Sequence, residues 1–356
     1  MSKKTVAVLF GSISSEHEVS LLSATSVINH IPRDKYDVLM IGITKDGRWL
    51  YYTGDVSLIK DGSWETSGCT SPAILSPDRG TKGIAQVTQA GICHIPVDVV
   101  FPVLHGEHGE DGTIQGLFEM AGIPYVGCHV LSSAACMDKE VTHILLENAG
   151  IPMAPYAVFC LGDLKRFEEI EKHLAQKLGY PMFVKPANTG SSVGVSKAKD
   201  KADLLKAVKL GLQYDRKLIV ESTIVGDEVE CAVLGNEQPI ASSVLGEIVP
   251  HHEFYDYEGK YLDDSTDLYI PARIPEETTQ KIRETAVKAF QVMGCGGLAR
   301  IDFFACKDGK IILNELNTIP GFTSISMYPK LFEASGISYP DLIDRLITLA
   351  LHYPED

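Results

Sequence analysis

The sequence predicts an α/β fold that opens on a doubly wound parallel sheet and becomes α+β in its later part, and three observations carry that expectation. A continuous apolar run, Thr5–Phe10, is followed by a polar turn, a helix-length segment and a second apolar run, Val38–Ile43. This is the strand–helix–strand alternation of parallel sheets. A third run, Val97–Leu104, leads into another polar loop and helix. Near the other end, Leu298–Asn317 holds two apolar runs about an Asp308-Gly309 pair, the strongest short signal for an antiparallel hairpin.

In chain order, the first strand gives way to the loop Gly11–Ser15 and a helix over Glu18–His30, and Val97–Leu104 to the loop His105–Gly112 and a helix over Thr113–Ala121. Both loops fall at the carboxyl ends of strands, where open parallel sheets bind ligands. Residues 51–89, rich in Gly, Ser, Thr and Pro, read as a poorly patterned insertion with no assigned role. A helix over Ser132–Asn148 starts a second unit, which continues through a short strand Met182–Lys185, Val195–Lys197, a helix Lys201–Gln213 and a strand Leu218–Glu221. The turn Lys185–Gly194 carries two glycines and three hydroxyls. Its N–H groups could wrap phosphates with Lys185 as a point charge. It is not a Gly-x-x-x-x-Gly-Lys-Ser loop, however, and a plain hairpin turn reads equally well. Phe254–Tyr261, between Pro250 and Pro271, is too irregular for a strand and reads as a lid or as a packed surface loop. Helices are expected over Thr278–Met293 and Tyr339–His352, and domain limits at 1–130, 131–221 and 222–356.

The hairpin face carries the chemistry. If Asp308 and Gly309 form a two-residue turn, Lys307 pairs with Lys310, Asp302 lies opposite Glu315, and Arg300 lies opposite Asn317. Ile301, Phe303, Ile312 and Leu316 then form the apolar side. Opposed carboxylates repel across a ladder unless a cation intervenes. Two carboxylates and an amide oxygen, with no His or Cys, suit Mg²⁺. The alternative is a solvated face on which Arg300 neutralises both acids.

Composition bounds the partners. At 356 residues and 45% apolar, the chain fits a soluble enzyme of two to three domains, and a net charge of −15 without a basic cluster argues against nucleic acid and anionic membranes. The eight cysteines show no Cys-x-x-Cys pair and read as small buried residues in a reducing compartment. The amino terminus lacks the pattern of a signal peptide and no apolar run reaches membrane-spanning length, so a cytoplasmic location is expected. Gly11-Ser-Ile-Ser-Ser-Glu16 is not Gly-x-Gly-x-x-Gly, so an NAD-binding reading fails.

The ordered set Gly11-Ser-Ile-Ser-Ser-Glu-His-Glu-Val-Ser20, His105-Gly-Glu-His-Gly-Glu-Asp-Gly112, Lys185-Pro186 with Gly190-Ser-Ser-Val-Gly194, Phe254-Tyr-Asp-Tyr-Glu-Gly-Lys-Tyr261, Arg300-Ile-Asp302 and Asn314-Glu-Leu-Asn-Thr-Ile-Pro-Gly321 resembles the D-alanine:D-alanine ligases of the ATP-grasp superfamily. The likeness spans nearly the whole chain and extends to the D-alanine:D-serine ligases of vancomycin resistance. It implies a three-domain ATP-grasp fold, ATP as co-substrate, two Mg²⁺ ions (with Mn²⁺ as a substitute) and a homodimer. The implied reaction joins two D-alanines through an acyl phosphate for peptidoglycan precursor synthesis.

By matched position, the resemblance implies that Asp302, Glu315 and Asn317 hold the metal and that Lys139, Lys185 and Lys260 contact phosphates. Ser192 joins them in the ATP site. Glu221, Ser222, Thr223 and Ile224 form the adenine hinge, where many relatives have Lys in place of Ser222, and Glu228 binds ribose. Glu16, Ser191 and Tyr261 form a hydrogen-bonded set about the first D-alanine, with His105 nearby. Arg300 steadies the oxyanion, and Gly321, Ser326 and Met327 bound the second substrate. Read without the resemblance, Lys139 is an exposed lysine at a helix start, Glu16 an acid favoured by a helix dipole, His105 a capped loop residue and Glu228 a solvated strand acid.

Overall fold

The computed structural model describes residues 3–250, 266–323 and 325–352. The expected lid Phe254–Tyr261, with Lys260 and Tyr261, lies outside them.

The first sheet holds β1 (Lys4–Gly11), β2 (Tyr36–Ile43), β3 (Trp49–Tyr52), β4 (Thr70–Leu75), β5 (Gly83–Thr88), β6 (Gly91–Pro96) and β7 (Val99–Val103), in the order β6-β5-β4-β3-β2-β1-β7. Pairing is parallel only where β1 meets β2 and β7, and antiparallel from β2 outward to β6. Helices α1 (His17–His30) and α2 (Thr113–Ala121) follow β1 and β7. The stretch read as a patternless insertion therefore extends the sheet. Its strands are short, and although burial alternates over residues 72–75 of β4, the outward position is the apolar Ile74, so no polar–apolar alternation marks the strand in the sequence; β6, just beyond the stretch, is mostly exposed.

That extension is anchored by Trp64, which is fully buried and stacks edge-on against Phe10 and Tyr52 at centroid distances of 5.1 and 5.9 Å. Gly42 of β2 makes room for the indole, because a Cβ there would come within 2.2 Å of it. Trp64→Ala should lower stability by about 3–5 kcal/mol. Urea unfolding checks this, with the midpoint falling at constant slope; an unmoved midpoint would show the insertion to be dispensable for the fold.

The single helix expected over 132–148 is two helices, α3 (Val130–Met137) and α4 (Lys139–Asn148). Asp138 between them is extended, and its carboxylate accepts from the N–H groups of Glu140 and Val141 as the cap of α4. Lys217 ties this break down, with its Nζ 2.7 Å from Asp138 and 2.8 Å from Glu140.

A second sheet holds β8 (Tyr156–Cys160), β9 (Met182–Pro186), β10 (Ser196–Ala198) and β11 (Lys217–Ser222), in the order β10-β9-β11-β8, covered by α5 (Phe167–Leu178) and α6 (Lys201–Gly211). A third holds β12 (Asp227–Gly235), β13 (Ile240–Ala241), β14 (Gly246–Pro250), β15 (Thr266–Tyr269), β16 (Gly297–Ala305) and β17 (Ile311–Asn317), with the path β15-β14-β12-β16-β17 and β13 beside β12. Helix α7 (Glu276–Val292) packs on one of its faces. Helices α8 (Met327–Ala334) and α9 (Tyr339–Leu351) close the chain.

The apolar cores are not divided like the sheets. One cluster runs from Val6, Val8 and Phe10 of β1 through α1 to Leu342, Ile343 and Leu346 of α9, and on to Ala232 and Leu234 of β12. The second sheet has a cluster of its own. All eight cysteines are free thiols, but Cys69, Cys93 and Cys160 are exposed and Cys306 is half-buried. The expectation of uniformly buried cysteines is corrected, because Cys93 lies on the exposed edge strand β6 and the other three lie in connections or at a strand end.

Candidate active site

The third sheet places a row of acids on one face. Glu230 of β12 lies opposite Asp302 of β16, and Asp302 opposite Glu315 of β17. Arg300 pairs with Asn317 in the next row. The expected pairs are thus present, although the turn is not the expected one. Ala305 pairs with Ile311, and the Cys306 N–H donates to the Lys310 carbonyl at 2.9 Å, so the connection is longer than two residues, with Gly309 at φ +81°. A bulge between Asp302 and Phe303 absorbs the difference: Asp302 faces Glu315, but Phe303 faces Leu313. The two irregularities cancel beyond the bulge. Between bulge and turn the sides are exchanged, so Leu313 is buried with Phe303, while Ile312 faces Phe304 instead of joining the apolar side.

The bulge leaves Asn314 unpaired in the ladder and aims it at Lys185, whose Nζ donates to Asn314 Oδ1 at 3.2 Å. No count of alternating residues could have found Asn314 here.

Arg300 is the charge partner of the row. Its Nε and Nη2 donate to the two oxygens of Asp302 at 2.8 and 2.7 Å, and Nε lies 3.1 Å from Glu230. Burial works against its charge, but Asp302 and Glu230 hold it well above the ordinary guanidinium value. The Asn317 amide donates to Asp302 at 3.0 Å. Amide orientation follows the surrounding hydrogen bonds, so an amide oxygen would face a cation as readily as its nitrogen faces the carboxylate. Three carboxylates with one guanidinium leave the row negative, and the donor set of Asp302, Glu315 and Asn317 is a hard oxygen set that fits Mg²⁺. Among the described residues no cluster of three or more His, Cys, Asp or Glu forms a metal site.

The glycine-rich turn folds over this face. Ser191 and Ser192 adopt positive φ of +47° and +58°. The Ser191 hydroxyl donates to Glu16, a buried residue just before α1. Lys139, the first residue of α4, donates to the Thr189 carbonyl at 2.7 Å. Lys185 is half-buried and pairs with the buried Glu221 at 2.6 Å. Burial lowers its pKa, but Glu221 and the more distant Glu315 and Glu228 raise it further, so it stays charged. Burial alone would raise Glu221, but Lys185 and His143 bring it down to about 2.

Lys139, Lys185 and Ser192 line a cavity of about 130 Å³ together with Glu228, Phe304 and Glu315. Residues 221–224 are not on its wall. The hydroxyls of Ser222 and Thr223 bond the carbonyls of Leu178 and Pro181, so neither side chain is directed at a ligand.

A second cavity, of about 300 Å³, shares Gly190, Ser191, Glu230, Ile248, Arg300 and Glu315 with the first and adds Glu16, His105, Gly321, Ser326 and Met327. His105 uses both ring nitrogens, on the Ile319 carbonyl at 2.9 Å and the Ser23 hydroxyl at 3.0 Å, and burial lowers its pKa. Glu110, which the sequence did not single out, accepts from the N–H groups of Gly106 and Ile319 at 2.8 and 3.0 Å. Burial, and then Glu16, push it up to about 8 against those bonds. Two residues of one loop thus hold both sides of the Ile319 backbone and fix the segment leading to Gly321. The Ser326 hydroxyl accepts from the Thr323 N–H at 3.0 Å. Met327 is buried, and its thioether lies where a Cβ on Gly246 would come within 2.2 Å.

Models of the D-ala D-ala ligase N-terminus and C-terminus match residues 5–128 and 145–348. A D-alanine–D-alanine ligase of Acetivibrio thermocellus is 53% identical across 99% of this chain and 97% of that protein. Another, from Ruminiclostridium cellulolyticum, is also 53% identical, across 100% and 97%. Among solved structures, the VanG D-Ala:D-Ser ligase of Enterococcus faecalis superposes with a TM-score of 0.90 at 43% identity, covering 98% of this chain and all of that one. The D-alanine-D-alanine ligase of Coxiella burnetii gives 0.87 at 36% identity, covering 99% and 94%.

Proposed function

The chain belongs to the D-alanine–D-alanine ligase family, and from that premise we propose how its two cavities divide the reaction. The enzyme is an ATP-dependent ligase of the ATP-grasp fold that joins two D-alanines. The carboxylate of the first takes the γ-phosphoryl group of ATP, the amine of the second attacks the acyl phosphate, and ADP, phosphate and D-alanyl-D-alanine leave. The observation that carries the division is the shared wall: the cavity with the lysines and the cavity with Glu16 and Ser326 meet at Ser191, Arg300 and Glu315.

Phosphoryl transfer needs in-line positioning and charge neutralisation more than covalent help from the protein. Lys139 and Lys185 supply charge along the phosphates, with Ser192 beside them. Glu228 takes the ribose, and the backbone of 221–224 takes the purine edge. Glu16, bonded to Ser191, receives the ammonium of the first D-alanine. Arg300 faces the oxygen on which charge develops as the second amine attacks. Gly321 and Ser326 bind the second carboxylate. Mg²⁺ held by Asp302, Glu315 and Asn317 would neutralise phosphate oxygens during transfer. Limits near residues 130 and 221, a homodimer and a cytoplasmic location complete the reading. Among the described residues no helix is long and apolar enough to cross a membrane.

The test is ADP release with ATP, Mg²⁺ and D-alanine; none above the rate without D-alanine would overturn the reading. A second reading, with D-serine as second substrate, is motivated by the similarity to a D-Ala:D-Ser ligase. Met327 favours D-alanine, since it brings no donor to a serine hydroxyl, and an unpartnered buried hydroxyl costs about 1–3 kcal/mol. Met327→Arg should move the product ratio toward D-alanyl-D-serine by about tenfold or more, read by product mass with equal D-alanine and D-serine. Mostly D-alanyl-D-serine from the unaltered enzyme would establish the second reading instead.

A further inference from the structure

One buried titratable side chain has no part in that scheme. His143 of α4 is 2% exposed, and its Nε2 lies 2.9 Å from Glu221 Oε1. The other oxygen of Glu221 lies 2.6 Å from Lys185 Nζ, which also donates to Asn314. Since Glu221 is ionised, it only accepts, so Nε2 must carry the donated proton. Nδ1 has no hydrogen-bond partner among the described residues, and Tyr156 lies against the ring at 4.4 Å. An apolar side chain would fill the same space without stranding a buried nitrogen. What the histidine adds is its single donor to Glu221.

We propose that His143 is a positioning residue of the nucleotide site, acting through Glu221 to set where Lys185 holds its ammonium. The inference rests on Lys185 being the phosphate-facing lysine. With Oε1 taken by His143, the ammonium docks on Oε2 alone and reaches across to Asn314 on the bulge, at the cavity wall. Without that donor, Oε1 is a buried carboxylate oxygen seeking a proton donor. It draws the ammonium into the fork between both oxygens, away from Asn314 and from an incoming phosphate. His143 itself touches neither nucleotide nor substrate, so its effect falls on nucleotide affinity rather than on the chemical step.

Three substitutions in the full-length protein test this. In His143→Gln the amide nitrogen reaches the place of Nε2, in His143→Asn it reaches only that of Nδ1, and His143→Leu has no donor. ADP binding is measured by calorimetry, and kcat and KM from ADP release at saturating D-alanine. The Asn and Leu variants should bind ADP about tenfold more weakly and raise the KM for ATP to match, with kcat within about threefold and the KM for D-alanine unchanged. The Gln variant should stay within about threefold of the parent. Equal behaviour of Gln and Asn, or a parallel rise of both KM values, would overturn the proposal. As a second check, His143→Asn should weaken ADP binding no further in a Lys185→Met background, because its route to the nucleotide is gone; additive losses overturn it as well. Failure of the ligase reading looks different: the parent would release no D-alanine-dependent ADP, while the binding series would still be readable.

Discussion

Glu315→Gln should cut ADP-forming turnover by about a thousandfold or more and leave the circular dichroism spectrum unchanged. Glu315 ends the row of acids that begins at Glu230, on the wall common to both cavities. Its removal takes a charge from the set that fits the metal and leaves excess positive charge beside the phosphates. The fold is insensitive because Glu315 lies on the cavity side of β17, while its neighbours Leu313 and Leu316 carry the packing. Asp302→Asn should be milder, since the amide keeps one acceptor for Arg300. A Mg²⁺ titration of turnover separates the two, and near-normal turnover of the Glu315 variant would reduce this face to a structural one.

Arg300→Met should damage both activity and stability. The guanidinium holds Asp302 through two bonds and Glu230 through a third contact, all at sites largely closed to water. Breaking a buried pair by removing one partner costs about 3–5 kcal/mol, because the remaining charge is stranded. Turnover should fall by about 10²–10³ as the oxyanion loses its donor. Mg²⁺ should raise the melting temperature of this variant more than that of the parent, because a cation on the row replaces part of the lost charge. Equal Mg²⁺ responses, or a variant as stable as the parent, would show that the arginine does not hold the row together. Arg300→Lys should not rescue, since a point charge cannot make the two parallel bonds.

The parallel start of the fold was readable because β1 is apolar and buried without interruption from Val6 to Phe10 and is followed by helical spacing. The hairpin pairs were readable too, but only because a longer turn and a bulge offset one another. Counting residues conserves the sum and hides both irregularities, which is why the turn of Asn314 toward Lys185 was missed and Ile312 was placed on the wrong side. The break at Asp138 was signalled by an acid that caps a helix, yet a continuous apolar periodicity across 132–148 outweighed it. Glu221 and His143 were harder. Strand β11 is buried along Leu218–Glu221, so no alternation shows which way its carboxylate faces, and a histidine within a helix looks like any half-polar helical residue. Glu110 lay inside a recognised loop, but the meaning of its carboxylate depends on Ile319, more than two hundred positions away.

The single core that joins β1 and α1 to α9 has a consequence for how the protein is made. A ribosome adds about 5–20 residues per second, so on the order of tens of seconds separate the appearance of α1 from that of Leu342, Ile343 and Leu346, its partners in that core. The second sheet, with a cluster of its own, can close in the meantime. The first sheet must wait with an apolar face uncovered, a natural client for chaperones. A message truncated before Tyr339 would encode every residue assigned to the reaction and still yield a chain prone to aggregate.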